Sequence, residues 1–125
     1  MRRILVVSQD APLLRLMGSL LHTAGHFPAI TTRPATALQF AQRRPCDLLV
    51  ADLVMRPLGG DDLVCRLRAR SIGVPALILA GRSSDTWARL LLIPRVMALS
   101  KPFTADEFAA GIEKALARWT PRRVA

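Results

Sequence analysis

The fold is decided by residues 46–55, which read CDLLVADLVM. Asp52 closes the apolar run Leu48–Ala51, and Gly60 follows eight residues after it. An unbroken apolar run of this length is typical of a strand that is buried on both faces of a parallel sheet. We therefore expect Asp52 at the carboxyl end of a central strand, the edge where open α/β sheets bind their ligands.

On either side of this strand, short apolar runs alternate with segments of helical period, which predicts an α/β fold with helices on both faces of the sheet. The predicted strands are Ile4–Val7, Ala29–Thr31, Leu48–Ala51, Ala76–Ala80 and Val96–Leu99. Five helices are expected to alternate with them. The residues expected to face the core are Leu13, Leu16, Met17, Leu20 and Leu21 in the first helix, Leu63, Val64 and Leu67 in the third, and Phe108, Ile112, Ala115, Leu116 and Trp119 in the fifth.

Proline, glycine and capping residues mark the ends of the helices. The first helix has Pro12 in its first turn and stops at Gly25, which suits a left-handed cap. The second runs from Pro34 to about Arg44, the third begins after Gly60, the fourth spans roughly Ser84–Ile93, and the fifth opens with Thr104 and Glu107 at capping-box spacing. The fourth helix has more apolar residues than one core-facing stripe needs, so some should be exposed.

The length of 125 residues predicts one domain over residues 1–120, with residues 121–125 as a basic tail. No apolar run approaches the roughly 18 residues of a membrane span, so a cytoplasmic location is expected. Cys46 and Cys65 are far apart and should be buried free thiols. His22 and His26 are four residues apart, but Gly25 between them favours surface or capping roles over a metal pair.

Basic residues outnumber acidic ones by 18 to 9, which gives a net charge of +9. Such a charge favours contact with polyanions. The arginines are nevertheless scattered from Arg2 to Arg123, in runs of no more than two and without aromatic residues between them. We therefore expect solvated arginines rather than a nucleic-acid site within this domain.

The loops after four strands should meet at one edge of the sheet. They contain Ser8, Gln9, Asp10, Asp52, Ala80, Gly81, Ser100 and Lys101. A carboxylate at a buried strand end facing an ammonium could be a nucleophile for a phosphoryl group, whose developing charge the lysine would stabilise. A structural ion pair between Asp52 and Lys101 is the alternative, and spacing alone leaves both readings open.

The whole chain resembles the receiver domains of response regulators in bacterial two-component signalling. The segments that carry the resemblance are Ile4–Val7, Cys46–Met55, Gly60, Pro75 and Ser100–Phe103. The resemblance implies a flavodoxin-like, doubly wound sheet of five parallel strands in the order 2-1-3-4-5. It also implies that a histidine kinase phosphorylates Asp52, that Lys101 contacts the phosphoryl oxygens, and that the domain is not an enzyme in its own right.

The chain departs from the family pattern at the metal site. Family members have two acids where this chain has Ser8 and Gln9, and those acids help to hold the Mg²⁺ that phosphoryl transfer requires. Mg²⁺ prefers anionic oxygen ligands, so its binding should be weak or absent here, with the Val54 carbonyl as a remaining ligand. Asp10 lies one position late and is expected to cap the first helix rather than replace the missing ligands.

The switch residues of the family are missing as well. Ala80 and Ala98 stand where the family has Thr or Ser and Tyr or Phe, so a phosphoryl group should not couple to the surface of the fourth helix. Arg56 follows Met55, and Arg82 follows Gly81 in the loop after the fourth strand. Either guanidinium could reach Asp52 and replace the missing cation, although solvent exposure is the expectation for both.

Three functions remain open. The first is a receiver module with weak or absent phosphorylation of Asp52, whose partner is a histidine kinase or another signalling protein. The second is a phosphorylation-independent adaptor that binds through Trp87, Arg89, Leu90, Leu91 and Arg95, with a homodimer through the fourth helix, fifth strand and fifth helix as one form of such contact. A basic nucleic-acid-binding module is the third and least favoured.

Overall fold

The computed structural model describes residues 1–82 and 84–119, over which strands and helices alternate. The strands are β1 (Arg3–Val7), β2 (Phe27–Thr31), β3 (Leu48–Asp52), β4 (Ala76–Ala80) and β5 (Val96–Ser100). The helices are α1 (Ala11–Thr23), α2 (Pro34–Arg43), α3 (Gly60–Ala69), α4 (Ser84–Leu91) and α5 (Ala105–Trp119). All the predicted elements are present. The predicted tail, residues 121–125, lies outside the described residues.

The strands form one parallel sheet in the order β2-β1-β3-β4-β5, as expected. Every residue of β3 and β4 is buried, because helices cover both faces of these central strands. The strand order changes direction between β1 and β3. The carboxyl ends of these two strands therefore frame the crevice where a ligand site is expected, beside Asp52.

Two apolar clusters hold the helices on the sheet. One contains Leu5 and Val7 of β1 together with residues of α2, α3 and α4. The other contains Ile4 and Val6 with residues of α1 and α5. Alternate residues of β1 thus serve opposite faces, as the two-residue period of a strand requires.

The predicted helix ends are confirmed in three places. Asp10 caps α1, since its Oδ1 accepts a hydrogen bond from the backbone of Leu13 at 3.2 Å. Gly25 after α1 has a φ of 87°, in the left-handed region that favours glycine. At the start of α5, Thr104 and Glu107 exchange side-chain to backbone hydrogen bonds in a capping box.

The predicted core face of α1 is partly wrong. Leu16 is 53% exposed, and the buried residues of this helix are Leu14, Met17, Gly18 and Leu21. The reason lies in Gly18, which brings the helix close to β2. A Cβ atom at this position would lie 3.2 Å from Cγ2 of Ile30, so the glycine turns this face of the helix towards the sheet.

Two further sequence expectations need correction. Cys65 is exposed rather than buried, while Cys46 is half-buried, and both are free thiols. His26 is buried rather than on the surface, because it joins β1 to α5. Its Nδ1 accepts a hydrogen bond from the backbone of Arg2 at 3.3 Å, and its Nε2 lies 3.1 Å from Oε1 of Glu113.

None of the helices in residues 1–82 and 84–119 has the length and apolar character needed to cross a membrane.

Candidate functional site

The ends of β1, β3 and β5 bring three polar side chains together. Ser8 donates a hydrogen bond from its Oγ to Oδ2 of Asp52 at 2.5 Å. On the other carboxylate oxygen, Oδ1 of Asp52 lies 2.5 Å from Nζ of Lys101. Ser8 and Asp52 are 0% and 4% exposed. The predicted convergence of Asp52 and Lys101 is therefore confirmed, and a buried serine joins them.

The ion pair is buried on one side and solvated on the other. The Asp52 side chain is 6% exposed, whereas that of Lys101 is 36% exposed. Although the ammonium is close, Oδ1 accepts no well-directed hydrogen bond from the described residues. We conclude that charge attraction rather than directed hydrogen bonding dominates this contact, and that Lys101 neutralises a carboxylate that would otherwise be costly to bury.

Removal of the ammonium should therefore destabilise the fold. Lys101→Met leaves Asp52 buried without its cation, a change that costs about 3–5 kcal/mol in a fully buried pair. Because Lys101 is partly exposed and screened by water, we expect a loss of about 1–2 kcal/mol in the free energy of unfolding. Urea denaturation measures this loss.

The Lys101→Met experiment has two controls. Lys114→Met removes an exposed lysine far from Asp52 and should change stability by less than about 0.5 kcal/mol. The double variant Asp52→Asn/Lys101→Met should recover most of the loss, because it removes both charges. Equal stabilities for Lys101→Met and Lys114→Met would show that the ion pair contributes nothing.

Gln9 is held by the loop between β3 and α3. Its Nε2 donates to the carbonyl oxygen of Arg56 at 2.5 Å, and its Oε1 accepts from the backbone nitrogen of Arg56 at 3.0 Å. Both ends of the amide are thus used to join the β1–α1 loop to the β3–α3 loop. Sequence reasoning missed this clamp, because Gln9 and Arg56 are separated by 47 residues and no pattern links them.

Asp10, the other acidic residue of the predicted degenerate metal site, points elsewhere. Asp10 is exposed and faces the first turn of α1, where it caps the helix. Its backbone nitrogen donates to Oγ of Ser8 at 3.2 Å, which helps to orient that hydroxyl. Val54, whose carbonyl is the predicted ligand, is 85% exposed at the start of the β3–α3 loop. Asp52 is thus the carboxylate that lies at the crevice.

These residues do not fit Mg²⁺. The ion requires near-octahedral oxygen ligands and is usually held by carboxylates and water. Here one oxygen of Asp52 faces the Ser8 hydroxyl and the other faces an ammonium, while the Gln9 oxygen is bound to the backbone of Arg56. Within the described part of the chain, no three His, Cys, Asp or Glu residues are grouped as a metal site.

The two predicted switch positions, Ala80 in β4 and Ala98 in β5, contain neither a hydroxyl nor a ring. Ala80 is 3% exposed and Ala98 is half-buried, and their methyl groups cannot hydrogen-bond to a phosphoryl group. Arg82 is exposed and donates to Oγ of Ser100 at 3.2 Å, and Arg56 is exposed as well. Their predicted solvent exposure is confirmed, and neither guanidinium pairs with Asp52.

The candidate interface on α4 is only partly exposed. Leu90 is 2% exposed and packs in the core, so its assignment to the interface is wrong: the helix turns this residue towards the sheet. Leu91 and Leu92 are 62% and 83% exposed, and Arg89 and Arg95 are exposed beside them.

Trp87 is tied to the loop that precedes α4. Its Nε1 donates to the carbonyl oxygen of Gly81 at 3.1 Å, and the side chain is half-buried. This bond joins α4 to Gly81, directly after the end of β4. Trp87 therefore contributes less free surface to an interface than the sequence indicates.

Comparison with known proteins agrees with this architecture. Residues 4–113 match the family model of the response regulator receiver domain. The transcriptional regulatory protein PrrA of Mycobacterium tuberculosis is 33% identical over 117 residues, which cover 93% of this chain and 50% of PrrA. GlrR of Escherichia coli is 29% identical over 119 residues, which cover 94% of this chain and 27% of GlrR. The chain thus spans between a quarter and about half of the length of these relatives.

A solved structure shares the same fold. The receiver domain of the Francisella response regulator 1452 superposes with a TM-score of 0.88 at 24% identity, over 94% of this chain and 98% of that domain. The sheet order, the pairing of Asp52 with Lys101 and the family match over residues 4–113 lead to one conclusion. The chain belongs to the response regulator receiver domains of two-component signal transduction.

Proposed function

We propose that this receiver domain signals by protein contact, with phosphorylation of Asp52 weak or absent. The observation that supports the proposal is the state of the Asp52 carboxylate, whose two oxygens contact Ser8 and Lys101, while the nearby Asp10 caps α1 instead. Phosphoryl transfer depends on cations that neutralise the charge on the phosphoryl oxygens. Lys101 supplies one positive charge, and the residues that would add a metal ion are missing.

The proposal also concerns the conformational response that phosphorylation of Asp52 would cause. Ala80 and Ala98 offer neither a hydroxyl nor an aromatic ring that could report a phosphoryl group to α4. The hydrogen bond from Trp87 to the Gly81 carbonyl also joins α4 to the end of β4, and it does not involve Asp52. A domain of this kind suits a partner-binding role that does not depend on the phosphorylation state.

The partners that we propose are a histidine kinase or an output domain, since receiver domains interact with proteins of these classes. A second copy is a further candidate, through α4, β5 and α5, because Leu91 and Leu92 expose an apolar surface between arginines. The proposed location is the cytoplasm, where two-component receivers meet such partners.

Mass spectrometry tests the proposal. Incubation with acetyl phosphate and excess Mg²⁺ should leave the natural chain without the gain of about 80 Da that one phosphoryl group adds. Asp52→Asn is the control for phosphorylation at other residues. A stoichiometric gain that Asp52→Asn abolishes would overturn the proposal and assign the domain to the receivers that work by phosphorylation.

A further inference from the structure

Ten of the sixteen arginines in the sequence lie at one edge of the folded domain. The helices run antiparallel to the strands, so their carboxyl ends lie at the edge where the strands begin, opposite Asp52. We call this edge the basic edge. Its arginines are Arg2, Arg3, Arg43, Arg44, Arg66, Arg68, Arg70, Arg89, Arg95 and Arg118.

The carboxylates lie mostly at the other edge. Asp10, Asp52, Asp61, Asp62, Asp85, Asp106 and Glu107 all lie at strand carboxyl ends or in the first turns of helices. Among the described residues, Asp47 and Glu113 are the carboxylates on the side of the basic edge, and both are engaged. Asp47 accepts a hydrogen bond from the backbone of Arg3 at 2.8 Å, and Glu113 contacts His26. The surplus positive charge of the described chain is therefore concentrated at the basic edge.

Some of these arginines have a role in stabilising the folded domain. Cations near helix carboxyl ends are favoured by the helix dipole. Arg68 is used inside the structure, where it donates to the carbonyl oxygens of Ile72 and Pro94 at 2.9 to 3.1 Å. Burial, and then the nearby guanidinium of Arg95, lower the pKa of Arg68, although the side chain stays charged at neutral pH.

Two further guanidinium groups have contacts within the domain: Nη1 of Arg95 donates to the carbonyl oxygen of Gly73 at 3.1 Å, and Arg118 lies over the ring of Trp119. Eight of the ten arginines are exposed, namely all except Arg2 and Arg68. Neither of the ion pairs found in the described residues contains an arginine. Among the described residues, the arginines of the basic edge are therefore not neutralised by side-chain carboxylates, and a set of guanidinium groups without carboxylates is complementary to an anionic partner.

A pocket next to the basic edge indicates which kind of anionic partner would fit there. It has a volume of about 160 Å³ and lies between β1, β2 and α2. Its lining is mainly apolar and includes Leu5, Phe27 and Phe40, and the two exposed arginines Arg3 and Arg44 also line it. The volume is well below the roughly 300–1,000 Å³ of small-molecule sites, so it suits a single side chain better than a cofactor.

The exposed surface of the pocket is apolar and uncharged apart from its arginines. Phe27, on the edge strand β2, is 57% exposed. Burial, and secondarily Asp47, raise the pKa of the Cys46 thiol to about 11, so this thiol stays neutral in the lining. An aliphatic or aromatic side chain would gain apolar burial there.

We propose that the basic edge binds an acidic segment of a partner protein, with one apolar side chain of that segment in the pocket between β2 and α2. Carboxylates of the segment would pair with Arg3 and Arg44 in the two-bond geometry that arginine favours. A DNA duplex would engage the arginines but would leave the pocket empty, because its bases are stacked inside the helix. This inference builds on the proposed role in protein contact and does not depend on whether Asp52 is phosphorylated.

Fluorescence anisotropy with the full chain tests the proposal. The probes are a labelled glutamate-rich peptide with a central phenylalanine, the same peptide with alanine in its place, and a labelled DNA duplex. The phenylalanine peptide should bind most tightly. Arg3→Gln/Arg44→Gln should weaken its binding roughly tenfold, the effect of two exposed ion pairs.

The matched control is Arg15→Gln/Arg33→Gln, which removes the same charge from exposed positions away from the basic edge. It should weaken binding less than about twofold, through long-range charge alone. Phe27→Ala should remove the preference for phenylalanine over alanine while leaving the alanine peptide unaffected.

Three results would overturn the proposal: equal losses in the two arginine variants, equal affinities for the two peptides, or tighter binding of the duplex. None of them bears on the phosphorylation experiment, so failure here is distinguishable from failure of the proposed function.

Discussion

The double variant Ser8→Asp/Gln9→Asp should bind Mg²⁺ and should gain a phosphoryl group at Asp52 in acetyl phosphate. The two introduced carboxylates would join Asp52 at the crevice and supply the anionic oxygens that this ion prefers. They would also remove the Ser8 hydrogen bond to Asp52 and the Gln9 clamp on Arg56. Mass spectrometry should show a gain of about 80 Da that depends on Mg²⁺.

Binding of Mg²⁺ should also change the stability of this variant. Without metal, three carboxylates share a poorly solvated crevice, so repulsion should lower the free energy of unfolding. Bound Mg²⁺ reverses this effect and adds about 2.7 kcal/mol when its free concentration is 100 times Kd. The melting temperature of the variant should therefore rise with Mg²⁺, whereas that of the natural chain should not change.

A matched control is Ser19→Asp/Gln39→Asp, which makes the same changes at exposed positions of α1 and α2. Its melting temperature should not respond to Mg²⁺ beyond the general effect of ionic strength. If Ser8→Asp/Gln9→Asp remains metal-independent in both stability and mass, Ser8 and Gln9 are not what limits metal binding at Asp52.

Gly60→Ala should destabilise the domain by about 2–3 kcal/mol, a typical cost of overpacking. Gly60 begins α3 directly against the end of β3. A Cβ atom there would lie 2.6 Å from the carbonyl oxygen of Asp52 and 3.1 Å from Cδ1 of Ile78. Since the first contact is with backbone, β3 and α3 must separate to relieve it. Urea denaturation followed by circular dichroism measures the loss.

Gly81→Ala is the control for this substitution. A Cβ atom at Gly81 would meet nothing within 4 Å, and its φ is not in the left-handed region. Alanine should be neutral there or stabilise by up to about 1 kcal/mol through the unfolded state. Equal stabilities of the two variants would show that close approach at Gly60 does not restrict the fold.

Local patterns were sufficient to predict the sheet, its helices and the meeting of Asp52 with Lys101. Apolar runs such as Leu48–Ala51 are short and alternate with longer segments of helical period, and this combination favours buried parallel strands. The face of α1 was harder to predict. Leu16 and Leu14 are equally apolar, and the choice between them depends on how closely Gly18 allows Ile30 to approach.

The sequence by itself determined the fold class and the family, since these follow from residue identities at fixed spacings along the chain. Only the tertiary structure decided where Gln9 is bound and that dispersed arginines form one basic edge. Both depend on contacts between residues far apart in sequence, such as Gln9 with Arg56 and Arg68 with Pro94. Such contacts are set by how helices pack antiparallel to the strands, which no local pattern records.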